Sequence, residues 1–314
     1  MSFLCLKVDV DTLRGTLEGV PRLVDLFKRE GVAATFLFSM GPDHTGRALK
    51  RIFRPGFLAK VQRTSVRSNY GLKTLLYGTL LPGPDIGVRA AAPMRAARDA
   101  GFECGIHCWD HVSWQDGVMK KSEDWTRGQM DRAHERFVQV FGTPATTCGA
   151  AGWQMSVGAL RHQGRLGYRY ASDARADGAG ASPFWPLIHA EALPVPQVPS
   201  TLPTLDELIG LDGCTPDNVH ERLLAHTADS SHDHVFTLHG ELEGMGLLPV
   251  LERLLAGWRD QGYTLASTGA YFDSLNTETL PYCEINWGAI AGRSGTLVKQ
   301  GAPYLENLNK TMRR

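Results

Sequence analysis

Apolar residues recur along this chain with two periods in alternation. Residues 4–10 place an apolar side chain at every second position, the pattern of a strand with one apolar face. In 20–30, Val20, Leu23, Val24 and Phe27 recur at helical spacing, and Gly31 stands where a helix would end. Further strands are predicted over 33–39, 102–107, 145–150, 168–172, 197–199, 234–238 and 263–266. Further helices are predicted over 86–100, 125–141 and 247–261, each closed by a glycine: Gly101, Gly142 and Gly262. Strands alternating with helices predict an α/β fold with parallel strands and crossover helices. About seven such units over roughly 270 residues suit an irregular (β/α)7-type barrel better than an open sheet. The barrel is expected to span 2–275, without internal repeats.

Two stretches break this rhythm. Residues 276–314 follow the last unit as a Gly- and Asn-containing tail, and residues 44–84 stand where a short connection would do. The second stretch holds eight basic residues, Arg47, Lys50, Arg51, Arg54, Lys60, Arg63, Arg67 and Lys73, and no acidic one. Leu49, Ile52, Phe53, Phe57, Leu58 and Val61 recur there at helical spacing, with Arg47, Lys50, Arg51 and Arg54 on the other side. Leu72, Leu75, Leu76 and Leu80 form a second stripe, and Pro55-Gly56 divides the segment into two helices. A basic amphipathic insertion suits an anionic membrane surface. The competing reading is a helical lid packed on the barrel.

Charge and composition change the picture only in part. The chain of 314 residues carries 33 Lys+Arg and 33 Asp+Glu, so the eight basic residues of the insertion leave 25 basic against 33 acidic elsewhere. A net charge of zero thus conceals a basic face on an acidic body, and nucleic acid is not expected as a partner. With 43% hydrophobic and 21% charged residues, disorder, collagen and coiled coil are excluded as overall classes. No stretch reaches the roughly 18 apolar residues of a membrane-spanning helix. The first residues lack the features of a secretory signal, and the expected location is cytoplasmic. Six scattered cysteines read as reduced thiols, and Cys104 and Cys108 lack the second pair of a structural zinc site.

In a barrel of this kind, catalytic groups stand at the carboxyl ends of the strands. Asp9 and Asp11 end the first strand, His107 ends the third with His111 four residues on, and His239 ends a late one with Glu241 after it. In His107-Cys108-Trp109-Asp110-His111, one helical turn would put both imidazoles on one face, within reach of one metal. Asp9-Val10-Asp11 on a strand would send both carboxylates to one face. Two histidines and one carboxylate leave open positions on a metal, which can then bind and acidify water. A second, unligated carboxylate can take the proton, and a histidine opposite can protonate a leaving group. The donor set suits one divalent ion, zinc, cobalt, manganese or iron. Glu241 and Glu243 read as loop carboxylates, and the remaining histidines, His44 among them, as solvated or structural.

These residues resemble the motifs of the polysaccharide deacetylase (NodB-homology) superfamily of metal-dependent carbohydrate amidases. The matches are Asp9/Asp11, His107/His111 and Leu238-His239. The resemblance implies that Asp11, His107 and His111 hold the metal, with Asp9 as general base and His239 as general acid. A closer resemblance, to deformylases acting on undecaprenyl-phosphate-linked 4-deoxy-4-formamido-L-arabinose, covers nearly the whole chain. It rests on Asp9-Val10-Asp11-Thr12 with Arg14-Gly15-Thr16, Trp109-Asp110-His111 with Trp114-Gln115, and Ala150-Ala151-Gly152-Trp153. Ser172-Asp173 with Arg175, Thr201-Leu202-Pro203-Thr204 and Ile290-Ala291-Gly292-Arg293 complete it. That family implies release of formate from a lipid-linked sugar at the cytoplasmic face of the bacterial inner membrane. In turn this implies lipid A modification and resistance to cationic antimicrobial peptides such as polymyxin.

The chain departs from the wider pattern in two places. Val10 separates the aspartates, and the third motif lacks the arginine that positions the base; Arg175 is the candidate to replace it. Trp153, Asp173 and Arg175 are candidate substrate-binding or supporting residues. The rival readings are another carbohydrate N-deacetylase on a lipid-linked or cell-wall sugar, an iron oxygenase, a phosphoesterase, and a non-catalytic anionic-lipid-binding protein.

Overall fold

The computed structural model describes residues 2–48, 73–176, 181–229, 231–290, 293 and 295–304. Its first strand, β1 (Phe3–Val10), is buried along nearly its whole length, but its two faces differ. Leu4, Leu6, Val8 and Val10 join the main apolar core, with Leu23 and Phe27 of helix Val20–Glu30 and Leu251 and Leu254 of helix Leu248–Asp260. Cys5, Lys7 and Asp9 alternate with them on the other face. A strand covered on both sides belongs inside a parallel sheet with helices packed outside it.

β2 (Thr35–Ser39), β3 (Glu103–Cys108), β4 (Thr147–Cys148) and β5 (Tyr170–Ala171) add in that order on one side of β1, all parallel. β6 (Trp185–Ile188) and β7 (Glu191–Ala192) leave this sheet as an antiparallel pair. β8 (His234–His239) returns to the other side of β1, with Asp9 in register with His239. β9 (Thr264–Ala266) pairs with the first residues of β1, Phe3 to Cys5.

The sheet curls, and an irregular segment spans the gap between its edge strands. Val198 N donates to Ala171 O (2.8 Å) and Ser200 N to Ala174 O (2.9 Å), while Thr201 N donates to Val235 O (3.1 Å). One extended stretch therefore bonds to the β5 side and to β8. The strand expected at 197–199 falls in this seam. The result is the α/β fold expected: a curled parallel sheet with helices outside.

The stretch expected to trail the barrel as a tail supplies β10 (Tyr282–Gly288) and β11 (Leu297–Pro303), which form a second sheet in the order β11-β10-β6-β7. Cys283, Ile285 and Val298 are buried with Phe184, Ile188 and Met155. β11 is tied to the loop after β5, since Arg175 N donates to Val298 O (2.9 Å) and Gln300 N to Arg175 O (2.8 Å). The helix expected over 86–100 is two helices, Ile86–Arg89 and Ala91–Asp99. Pro93 has no N–H to continue the first one, so the chain breaks at Ala90 and starts again.

Of the basic residues in the insertion, Lys50, Arg51, Arg54, Lys60, Arg63 and Arg67 lie outside the described residues. Arg47 Nε donates to Gly78 O (3.0 Å), and Lys73 is exposed. Among the described residues no helix is long and apolar enough to cross a membrane.

Two π-helical turns, Gly15–Gly19 after β1 and Leu242–Gly246 after β8, meet glycine to glycine. A Cβ on Gly19 would lie 2.0 Å from Gly240 O, and one on Gly244 would lie 2.9 Å from Gly19 Cα. Gly19→Ala should therefore cost about 2–3 kcal/mol by overpacking. Gly128→Ala, in the helix Glu123–Phe141 with nothing within 4 Å, should stabilise by about 0.5–1 kcal/mol. Urea unfolding of the two variants checks the opposite signs.

Candidate metal centre

The polar face of β1 supplies the first groups of the site: Asp9 on the strand and Asp11 just past its end. β3 delivers His107, and the helix His111–Gly117 begins at His111. The pair was expected on one helical turn; it spans a strand end and a helix start instead. Asp110 makes the corner, extended at φ −134° and capping the helix by accepting Ser113 N (3.0 Å). The two imidazoles still converge, with ring centroids 5.4 Å apart.

Asp11 lies between them. Its Oδ1 is 3.2 Å from His107 Nε2 and its Oδ2 is 3.3 Å from His111 Nε2. One donor atom from each of Asp11, His107 and His111 lies within 4.8 Å of the others, a cluster suited to a divalent cation. Burial alone would raise the Asp11 carboxyl, but His111, His107 and His239 hold it well below the usual carboxylate range. Burial alone would lower the His107 imidazole, yet Asp9 and Asp11 push it up. His107 Nδ1 donates to Gly149 O (2.8 Å), which fixes the ring and turns the Nε2 lone pair toward Asp11, where it can ligate a cation. Asp11 Oδ1 is buried and accepts no hydrogen bond. Two imidazoles, one carboxylate and a buried oxygen without a partner fit a divalent ion of the zinc, cobalt, manganese or iron kind.

The surrounding groups hold the donors in place. Glu241 Oε1 accepts Asp11 N (3.1 Å), Thr12 N (2.8 Å) and Thr12 Oγ1 (2.7 Å), and Asp43 Oδ2 accepts Leu13 N (3.0 Å). Both carboxylates pin the turn that carries Asp11. Burial and the Asp11 charge push Glu241 up to about 8. Asp173 accepts Ala150 N (2.8 Å), next to the Gly149 carbonyl that orients His107. His239 lies beside Asp9 at the end of β8; its N–H donates to Glu243 Oε2 (2.7 Å), and its Nδ1 is buried without a partner.

Arg175 pairs with Glu207 (2.9 and 3.1 Å) and lies over the Trp153 ring at 4.7 Å. Among the described residues the cation beside Asp9 is Lys7, whose Nζ is 3.4 Å from Oδ2. β11 fixes the Arg175 backbone, and its guanidinium is held on Glu207. Trp153 is buried and donates to Ser200 Oγ (3.1 Å). His44 takes the structural alternative, bonding Asp110 Oδ2 through Nδ1 (2.6 Å).

The fold is that of solved deacetylases. A Mycobacterium smegmatis crystal structure assigned to a polysaccharide deacetylase aligns with a TM-score of 0.57 at 16% identity, over 91% of this chain and 95% of that one. The chitin deacetylase of Colletotrichum lindemuthianum aligns with a TM-score of 0.50 at 15% identity, over 85% and 86%. By sequence the chain is 36% identical over 299 residues to a Shewanella sediminis protein, covering 95% of this chain and 94% of that one. The relative is named a probable 4-deoxy-4-formamido-L-arabinose-phosphoundecaprenol deformylase, ArnD. The chain belongs to the NodB polysaccharide-deacetylase superfamily, as a relative of the ArnD-like deformylases. A Wigglesworthia glossinidia brevipalpis protein of the same name is 29% identical over 287 residues, 91% of this chain and 98% of that one. No family model matches. The NodB fold and the metal-suited cluster together support a hydrolase of the amidase type.

Reading the sequence of this NodB-type enzyme missed Lys7, although the period of two that placed Asp9 and Asp11 on one face places Lys7 there too. It also left Glu241 and Glu243 as loop carboxylates, whereas both are fully buried. Burial pushes Glu243 up to about 7 from its ordinary 4.5. The unfolded chain therefore ionises this group before the folded protein does, so stability falls as pH rises from about 4.5 to about 7 and levels off above. Glu243→Gln keeps an acceptor for His239 N–H. It should match the parent near pH 4 and be about 3 kcal/mol more stable at pH 8. Urea unfolding at both pH values measures the difference.

Proposed function

We propose that this enzyme hydrolyses the formamide of undecaprenyl-phosphate-linked 4-deoxy-4-formamido-L-arabinose, releasing formate and leaving a 4-amino sugar on its lipid carrier. The observation that carries the reading is the Asp11, His107 and His111 cluster, in a chain whose relative is named for this reaction. A formamide is a poor electrophile with a poor leaving amine. A divalent ion held by the three residues would polarise the formyl carbonyl and acidify a water.

The protein groups then divide the proton traffic. Asp9, buried next to His107, takes the proton from the attacking water. His239, in register beside Asp9 on the neighbouring strand, gives a proton to the sugar nitrogen as the C–N bond breaks. The His111 side chain is 21% exposed against 1% for His107, so the scissile amide approaches from the His111 side.

The lipid carrier gives the basic insertion a use. On this reading the charges of Arg47, Lys50, Arg51, Arg54, Lys60, Arg63, Arg67 and Lys73 attract anionic lipid of the inner membrane, each adding about 1 kcal/mol of reversible attraction. Leu80 and Leu81, at the described end of the insertion, are 81% and 36% exposed, which supports lipid contact there. On this reading the enzyme is a peripheral protein that acts in the modification of lipid A and in resistance to cationic antimicrobial peptides.

Mass spectrometry of the formamido-sugar lipid, incubated with enzyme and Co2+, Mn2+ or Zn2+, should show a loss of about 28 Da, formyl replaced by hydrogen. Asp11→Ala should abolish the loss and weaken cation binding by at least about 100-fold. An active-site cation bound with no such mass change in the parent would sink the reading. Flotation with phosphatidylserine-containing liposomes should capture the protein at low salt and release it at about 0.5 M salt, where screening shortens the reach of surface charge. Absence of capture at low salt would remove the membrane face.

A further inference from the structure

Among the described residues, Lys7 is the only fully buried lysine. Its ammonium is 3.4 Å from Asp9 Oδ2, donates to Ser172 O at 3.1 Å and lies 5.1 Å from the centroid of Trp153. The same indole carries the guanidiniums of Arg175 at 4.7 Å and Arg293 at 4.4 Å, both held by Glu207. A buried ion pair adds little stability over apolar side chains of similar volume, and a methionine would fill the space of Lys7. The ammonium supplies direction instead. It draws one Asp9 oxygen toward Ser172 and Trp153, and leaves Oδ1 buried, without a hydrogen bond, 3.8 Å from His107 Nδ1. Asp11, two residues on, lies between the imidazoles of His107 and His111.

We propose that Lys7 is a positioning residue: it fixes Asp9 as the proton acceptor beside the metal centre and keeps it from joining Asp11 as a second carboxylate ligand. Two carboxylates on one side of one strand are chemically alike, and each has acceptor oxygens that a cation would take. Only their neighbours distinguish them. Lys7 occupies one oxygen of Asp9, and Trp153 packs against the ammonium. Arg175 and Arg293, fastened to Glu207, hold the indole from other chain segments. The inference rests on the reading of Asp9 as base.

Lys7→Met and Lys7→Arg, each loaded with Co2+, test it by crystallography and by kinetics on the formamido-sugar lipid. In Lys7→Met the Asp9 carboxylate should leave its place, and kcat should fall by about 100-fold or more with KM within about twofold. In Lys7→Arg the carboxylate should stay, and kcat should recover to within about tenfold of the parent. An unmoved Asp9 in Lys7→Met overturns the proposal whatever the activity. A kcat in Lys7→Met within about threefold of the parent overturns it too. Should the parent itself leave the formamide intact, the reading of the substrate fails, and the displacement of Asp9 still decides the role of Lys7. Should Lys7→Met not fold, Lys7→Gln takes its place, keeping a donor for Ser172 O without the charge; Asp9 unmoved there overturns the proposal equally.

Discussion

Negative charge buried at the end of one strand sets the terms for the rest of this structure. Asp9 and Asp11 stand two residues apart in an interior where an unpaired carboxylate is costly. Each therefore draws positive charge to itself from elsewhere in the chain. Lys7 answers Asp9 from the same strand, and His107 and His111 answer Asp11 from β3 and the helix after it. Glu241 and Glu243 are buried close by, and burial raises both, so each retains its proton to higher pH than a surface carboxylate. The site thus concentrates acidic groups while limiting the charge they carry.

The alternation of β1 makes this possible in so small a space. One face is wholly apolar and holds the helices; the other gives Lys7, Asp9 and, past the end, Asp11 to the interior. β8 repeats the device: Phe236 and Leu238 enter the apolar core, while Thr237 and His239 take the polar side. The second sheet packs against the segments beside the site. β11 grips the backbone of Arg175, and Arg175 in turn presses on Trp153 and binds Glu207. A chain segment at residue 298 thereby steadies groups packed near a carboxylate at residue 9.

Legibility in the sequence followed the range of the interaction. The two periods marked the main strands and helices, and the glycines after the helices at 31, 142 and 262 all adopt positive φ as a helix stop requires. Ser122, which caps the helix Glu123–Phe141, was a readable signal for its true start, two residues before the expected one. Asp11, His107 and His111 stood out because their types and strand-end positions both pointed to metal. Lys7 did not, because a lone lysine within an apolar strand suggests no partner until the fold brings Ser172 and Trp153 against it. Arg175 was matched to Asp9 by its place in the chain, but hydrogen bonds to Glu207, 32 residues on, decide where it lies. In β10, Cys283 and Ile285 alternate with Glu284 and Asn286, a strand pattern masked by the glycines and asparagines around it.

The pairing of β1 with β8 has a consequence for how the protein is made. Residues joined across these strands are about 230 positions apart, as Asp11 and Glu241 are. At roughly 5–20 residues per second, the first strand leaves the ribosome roughly 10–50 s before its partner exists. An apolar strand with open edges would be an aggregation hazard over that interval. Lys7, Asp9 and Asp11 interrupt the apolar run with charge, so the side chains that later build the site first keep the nascent strand apart from its neighbours.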